Sequence, residues 1–396
     1  MARLKPGTPE TIRNHNRYLA LDAIERRGPV SRAELSRITQ ISEPTIYSII
    51  DYFISKDIVA EVGMGQSTGG RKPILLKFNP EAGFVVGVAL GGKSVKMSVS
   101  DLGKGLRHRH VIPMKHLGAK EAAIAGIAEA VRELIDESGI PQDKFLSVGV
   151  AVPGVVDPNT GEVSLAPQIG WDRIAIGQRL HRELGIPVSV ERNVNAAALA
   201  ETQWGIGRDG VDDFVFISIS TGIGAAIVIG GELYGGHSNS AGEIGYMITD
   251  LGWLKRERPE GFGCLETFAD TQGILRITAE KWSSSGREMS RVPQTVEEVF
   301  DLARAGDEVA LAVIEKAADH LAAGIINISV LLNPQAVVIG GDIVGVGDLI
   351  LNLVAERLER VSPIRPQLML SKMQADTELI GAVSIACLAA KQNLLL

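Results

Sequence analysis

The stretch Val188-Ser189-Val190-Glu191-Arg192-Asn193-Val194-Asn195-Ala196-Ala197-Ala198 passes from a strand pattern directly into a helix pattern. Alternating β-branched and small residues end at Glu191, and an Ala-rich run of strong helix formers begins at Asn195. Open α/β folds hold their ligands beside the carboxyl ends of strands and the amino ends of the helices that follow. Arg192 and Asn193 fall at that corner, so these two side chains decide what kind of protein this is.

Working outward, the same architecture occurs twice. A continuous apolar run over 83–91 ends in Gly91-Gly92, and an alternating run over 94–101 follows, which reads as strand, glycine turn and antiparallel strand. Beyond Trp204 the order recurs as a strand over 214–220, the turn Thr221-Gly222-Ile223-Gly224 and a returning strand over 225–230. Backbone N–H groups at such turns can form anion-binding nests, although a lone Gly-x-Gly is usually only a tight turn. Between the repeats lie a helix (119–139), a buried strand (146–152), the loop 153–158 and a helix (174–184). After them come helices over 265–283, 295–304 and 307–332, then a strand (336–339) and the turn Gly340-Gly341-Asp342. A helix (349–360), a strand (367–370) and a closing helix (378–393) complete an α/β alternation.

The first 80 residues have another texture. An arm with Arg3 and Lys5 precedes a helix over 11–27 that Gly28-Pro29 stops. Ser31 and Ser42 each occupy an N-cap position, their hydroxyls accepting from the open first turn of a short helix. Two such helices joined by a tight turn make a helix-turn-helix. In its second helix Ile46, Ile49, Ile50 and Phe53 share one face, Glu43, Pro44, Thr45, Tyr47, Ser48 and Asp51 lie outward, and Ser42 with Glu43, Pro44, Thr45, Tyr47 and Ser48 falls on the side open to DNA. That face carries acids and no base, and small helical hairpins are often not DNA readers. The strands expected over 58–62 and 74–78 strengthen the DNA reading, because they flank a glycine-rich wing tipped by Gly70, Arg71 and Lys72.

Composition agrees with this division. A chain of 396 residues exceeds one ordinary core, so two or three domains are expected. Residues 1–80 hold 12 Lys+Arg against 8 Asp+Glu, whereas the remainder holds 28 against 39, so only the front of the molecule suits a polyanion. The two cysteines, Cys264 and Cys387, are too few for a disulfide framework or a multi-cysteine metal site. No run of about 18 uninterrupted apolar residues and no secretory leader pattern appears, which points to a cytoplasmic protein without a membrane partner.

Taken jointly, several motifs resemble the ROK family of repressors, open reading frames and sugar kinases. They are the wing Gly69-Gly70-Arg71-Lys72-Pro73, Val152-Pro153-Gly154, the opening stretch, Thr221-Gly222-Ile223-Gly224, Ala241-Gly242-Glu243-Ile244-Gly245-Tyr246, Gly263-Cys264-Leu265-Glu266 and Val338-Ile339-Gly340-Gly341. The resemblance spans nearly the whole chain. It implies an α/β actin-like fold, two RNase-H-like lobes around a sugar cleft, behind a winged helix-turn-helix. The expected division is 1–80 for DNA binding, 81–200 for the first lobe joined by the closing helix 378–396, and 201–377 for the second lobe. It also implies sugar contacts at Gly154, Gln168, Arg192, Asn193, Glu243, Tyr246 and Glu266.

The departures from the family pattern bear on chemistry. Family kinases carry Asp-x-Gly-Gly-Thr where Ala89-Leu90-Gly91-Gly92-Lys93 stands here, and a general-base Asp where Asn193 stands. An amide cannot take the proton of an attacking hydroxyl, and loss of such a base costs about 10² to 10⁴ in rate. The family's zinc ligands are reduced to Cys264, with Tyr246 in place of the His, so neither metal nor other cofactor is expected. Arg192 either recognises an acidic or phosphorylated sugar or pairs with Glu191 or Glu243. The expectation is a non-catalytic regulator, dimeric or tetrameric, that binds operator DNA and is released by a carbohydrate effector. An active sugar kinase with an appended DNA-binding domain and a constitutive DNA-binding protein are the alternatives.

Overall fold

In the computed structural model the described residues are 8–65, 72–103, 105–118, 120–157, 160–166, 169–255, 263–373 and 376–395. The N-terminal unit runs α1 (Pro9–Arg27), β1 (Val30–Ser31), α2 (Arg32–Thr39), α3 (Glu43–Ser55), β2 (Val59–Met64) and β3 (Ile74–Phe78). Its three strands pair in the order β1-β3-β2. Strand β1 is only two residues long, too short to leave a periodic pattern in the sequence. The Ser31 hydroxyl accepts from the Glu34 N–H at 3.3 Å and caps α2 as expected. Ser42 departs from the expected cap: its hydroxyl bonds the Thr45 hydroxyl at 2.8 Å and no backbone donor. Pro44 in that first turn already removes one N–H that would need a cap.

The first large sheet comprises β4 (Phe84–Leu90), β5 (Ser94–Asp101), β6 (Leu106–Pro113), β7 (Phe145–Val152) and β11 (Val188–Arg192). Its order is β11-β7-β4-β5-β6, with β4 antiparallel to β5 and parallel to β7. Helix α4 (Lys120–Glu137), the small sheet of β8 (Val155–Val156), β9 (Val163–Ala166) and β10 (Trp171–Ile174), helix α5 (Ile176–Leu184) and helix α6 (Asn193–Trp204) accompany it. Every position of β4 is buried, which is why its sequence is a run and not an alternation.

The second sheet contains β12 (Phe214–Ile219), β13 (Ile223–Ile229), β14 (Glu232–Leu233), β15 (Ala336–Gly340) and β16 (Gln367–Leu370), ordered β14-β13-β12-β15-β16. Strand β12 pairs antiparallel with β13 and parallel with β15, repeating the pairing of β4 with β5 and β7. Helices α7 (Cys264–Ala269), α8 (Thr271–Ser284), α9 (Val296–Arg304), α10 (Glu308–Leu332) and α11 (Asp348–Val361) belong to this part. The single helix expected over 265–283 is in fact broken. Asp270 is extended and its carboxylate caps α8 by accepting from the Gly273 N–H.

The last helix, α12 (Thr377–Leu395), is seated between the first sheet and α6. Its backbone comes so close that glycine is required beneath it. A Cβ on Gly149 would lie 2.1 Å from the Ala382 carbonyl, one on Gly87 2.5 Å from Val383 Cγ2, and one on Gly381 2.1 Å from the Ala196 carbonyl. Around these notches Ala89, Ala151, Ala196, Leu379, Ala382 and Ile385 form one small apolar cluster. Val383, Ala386, Cys387, Ala390 and Leu395 of α12 share a core with Ile24, Leu35, Ile46, Phe53 and Leu76 of the N-terminal unit. Among the described residues α12 is the one helix long and apolar enough to cross a membrane, and its double seat in the interior accounts for that apolarity. Gly149→Ala should therefore destabilise the chain by about 1–3 kcal/mol, the usual cost of overpacking. Urea unfolding measures it, and an unchanged midpoint would contradict so close a seat.

Candidate functional site

The corner read from the sequence exists with its junction moved. Strand β11 continues through Arg192 and α6 starts at Asn193, two residues before the Ala run begins. Glu191 fixes the corner, one carboxylate oxygen accepting from the Arg192 N–H at 2.8 Å and from Asn195 Nδ2 at 2.9 Å. The Arg192 side chain is 4% exposed and is directed across the cleft into the 241–243 loop. There its guanidinium donates to the Ala241 carbonyl at 3.1 Å and to the Glu243 carboxylate. The Arg192 guanidinium is thus paired with Glu243 in this structure.

That loop is held by a glycine no other residue could replace. Gly242 has φ +90°, and a Cβ there would sit 2.0 Å from the Ala225 carbonyl. The close approach lets the Gly242 carbonyl accept from the Ala225 N–H at 2.7 Å, pinning the loop to β13. Asn239 adds a second tie between the two parts of the fold, donating from Nδ2 to the Val156 carbonyl at 3.2 Å.

Asn193 turns to the floor of the cleft. Its Nδ2 donates to the Glu378 carboxylate at 3.2 Å, while its Oδ1 accepts from the Val194 N–H at 2.8 Å. Glu378, at the start of α12, is partly open to the cleft yet enclosed by protein. Burial and the like charge of Asp342 push its carboxyl up to about 7, against Lys96 and the Asn193 amide, which favour the ionised form. Nothing in the sequence pattern singles out Glu378, because it lies 185 residues from Asn193.

The other expected contacts divide. Gly154 has φ +94°, in the loop after β7. Tyr246 is about half exposed, at 48%, beyond Glu243 in the same loop. Glu266 is spent on the backbone: one carboxylate oxygen accepts from the Ile223 N–H at 2.9 Å and the other from the Gly263 N–H at 3.1 Å. It thus ties α7 to the turn before β13. Gln168 lies outside the described residues, as do Gly70 and Arg71 of the wing.

On α3, Ile46, Ile49, Ile50 and Phe53 are buried, Ser42, Glu43, Pro44, Tyr47 and Ser48 are exposed, and Thr45 is half-buried. Lys72 of the wing is exposed. Basic side chains of neighbouring helices lie beside α3, with Arg32 paired to Glu61 at 3.2 Å. Arg13, Asn16 and Arg17 of α1 line one groove with Pro44, Thr45 and Ser48 of α3. Arg32 of α2 lies over the Tyr47 ring, 5.4 Å from its centroid.

The model of the ROK family matches residues 85–388. This chain belongs to the ROK family. The Xylose repressor of Bacillus spizizenii is 29% identical over 364 residues, covering 90% of this chain and 89% of that protein. A ROK family transcriptional regulator, a homolog of the E. coli MLC protein, matches in structure with a TM-score of 0.84 at 25% identity, covering 97% of this chain and 98% of that one. A ROK glucokinase from Streptomyces griseus, solved with glucose and AMPPNP, matches with a TM-score of 0.62 at 25% identity, covering 77% of this chain and 99% of that one. The actin-like two-lobed α/β architecture of the ROK fold is thereby shared.

The surroundings of Cys264 do not fit the zinc that many ROK proteins carry. Its thiol is 3.5 Å from the Thr249 hydroxyl, which bonds His320 Nδ1 at 2.7 Å. The His320 ring lies flat on Phe268, with centroids 3.9 Å apart, and burial lowers its pKa. Among the described residues no three or more His, Cys, Asp or Glu converge on a point, and His237 is exposed. A tetrahedral zinc needs four such donors.

Two tests follow from this geometry. Arg192→Ala leaves Glu243 without its partner, but Glu243 is 35% exposed and water can reach it. The expected loss is about 1–3 kcal/mol, below that of a fully buried pair, and denaturant unfolding measures it. Burial also raises the Asp270 carboxyl from 3.8 to about 7. The folded state then binds the proton more tightly than the unfolded chain, so this contribution is full below about pH 4 and is lost as pH rises to 7. Asp270→Asn keeps an acceptor for the cap and should flatten the fall in stability over that window; an unchanged slope would contradict it.

Proposed function

We propose that this ROK protein is a DNA-binding transcriptional regulator, a repressor of carbohydrate-utilisation genes, released by a sugar effector bound in a cleft that no longer catalyses phosphoryl transfer. The observation that carries this reading is the Asn193 corner on a chain that also bears a winged helix-turn-helix. Where ROK kinases have a base, Asn193 offers an amide held by Glu378. Where they have a metal-organising Asp, Ala89 is 3% exposed within the seat of α12. A charged side chain there would be buried among apolar neighbours, which is costly without a partner.

The division we infer is 1–80 for DNA binding, 81–200 with 378–396 for the first lobe, and 201–377 for the second. Operator contacts are assigned to Ser42, Glu43, Pro44, Thr45, Tyr47 and Ser48 of the reading helix and to Gly70, Arg71 and Lys72 of the wing. Sugar contacts are assigned to Gly154, Gln168, Arg192, Asn193, Glu243 and Tyr246, with Glu266 positioning the loop behind them. Because Arg192 is neutralised by Glu243, a neutral sugar is favoured over an acidic or phosphorylated one. The repressor named for xylose makes D-xylose a first candidate, and glucose, bound in the kinase neighbour, a second. A homodimer or homotetramer would present paired reading helices to a pseudo-palindromic operator. The setting this implies is the cytoplasm.

Fluorescence anisotropy with a duplex from upstream of the chain's own gene tests the reading. Tight binding should weaken on adding one sugar of a neutral panel, and Lys72→Ala should reduce the salt slope by about one. DNA binding indifferent to every sugar would leave a constitutive regulator. The likeness to the glucokinase keeps a kinase reading in view: turnover above about 1 s⁻¹ in a coupled assay would overturn the non-catalytic assignment.

A further inference from the structure

We propose that Glu378 is the sensing end of helix α12, and that α12 carries the state of the cleft as a rigid rod to the helix-turn-helix. This rests on the sugar-responsive reading above. At the cleft end Glu378 accepts from Asn193, the side chain at the head of α6. The like charge of Asp342, in the turn after β15, acts on the same carboxyl and raises its pKa, so a charge beside the second sheet bears on this residue too. A ligand that draws the Asn193 amide to itself, or that moves Asp342, changes the force on the first turn of α12.

The far end of α12 is fastened to the N-terminal unit by three polar ties. Lys391 Nζ pairs with the Glu25 carboxylate at 2.7 Å, both side chains being largely buried. Arg17 donates to the Leu395 carbonyl at 2.7 Å and stacks over Tyr52, 3.6 Å from the ring centroid. The Tyr52 hydroxyl donates to the Leu394 carbonyl at 2.9 Å. Tyr52 belongs to the reading helix α3 and Arg17 to α1, whose outer face lines the groove beside Ser48. From Glu378 to Lys391 a helix spans about 20 Å.

The seat of α12 allows this transmission. Gly87, Gly149 and Gly381 bring its backbone into contact with the sheet and α6, so it cannot bend locally without steric conflict. Packed interiors respond to such a load by shifting between discrete arrangements. A shift at the cleft is then delivered whole to Lys391, Leu394 and Leu395.

The experiment compares full-length wild type with Glu378→Ala, Glu378→Gln and Lys391→Met. Operator affinity is measured by anisotropy with and without D-xylose and D-glucose, and sugar binding separately by calorimetry. Wild type should lose at least fivefold in operator affinity with the effective sugar, the low end of common couplings. Glu378→Ala and Lys391→Met should still bind both ligands but show less than a twofold sugar effect. Glu378→Gln, which keeps an acceptor for Asn193, should restore most of it. Wild-type coupling in Glu378→Ala, with both ligands bound, overturns the relay while leaving the sugar-responsive reading intact. If neither sugar binds wild type, that reading loses its candidates, and hydrogen exchange without sugar decides the relay. Glu378→Ala should then raise exchange in α1 and α3 as well as in the first turns of α12, and a change confined to α12 overturns it.

Discussion

The close seat of α12 is the constraint on which the rest of the structure depends. Three glycines let one helix touch a sheet and a neighbouring helix at backbone distance, and the same helix contributes Val383, Cys387, Ala390 and Leu395 to the core of the N-terminal unit. Large side chains at the notches would lift the helix, separate the two cores and displace Glu378 from Asn193. Ala89 belongs to the same seat, packed with Ala151, Ala196 and Ala382.

The cleft is closed by charge as well as shape. Arg192 extends from the end of β11 to a loop held on β13 by Gly242, and there its two terminal nitrogens are bonded to the Ala241 carbonyl and Glu243 while its buried Nε has no partner among the described residues. On the proposed sugar reading, a ligand entering here would offer hydroxyls in exchange for existing hydrogen bonds, and an analogue lacking one hydroxyl would leave a buried polar group unpaired. The same argument accounts for Glu266, whose two oxygens already serve backbone donors and shape the pocket from behind.

Much of this was legible in the sequence, for identifiable reasons. Buried central strands such as β4 and β12 leave long apolar runs, and both repeats were read from them. The buried face of α3 followed from its helical spacing. What escaped had weak local signals: β1 and β8 are two residues long, and β6 carries Arg107, His108, Arg109 and His110 along a sheet edge. The break at Asp270 was hidden inside a helical pattern, because a capping carboxylate resembles a surface one until its donor is known. Asn193 was found at once from its place after a strand. Its partner Glu378 was not, since only the fold brings those two positions together.

On the proposed relay, one helix joins the cleft to the DNA-reading unit. Hydrogen–deuterium exchange of the full-length protein, with and without a sugar found to release it from DNA, is the decisive measurement. The relay predicts altered protection in 239–246 and 191–197, continuing through 377–395 into 9–27 and 43–55. Altered protection confined to the cleft peptides, with α12 and the N-terminal helices unchanged while DNA is still released, would contradict it.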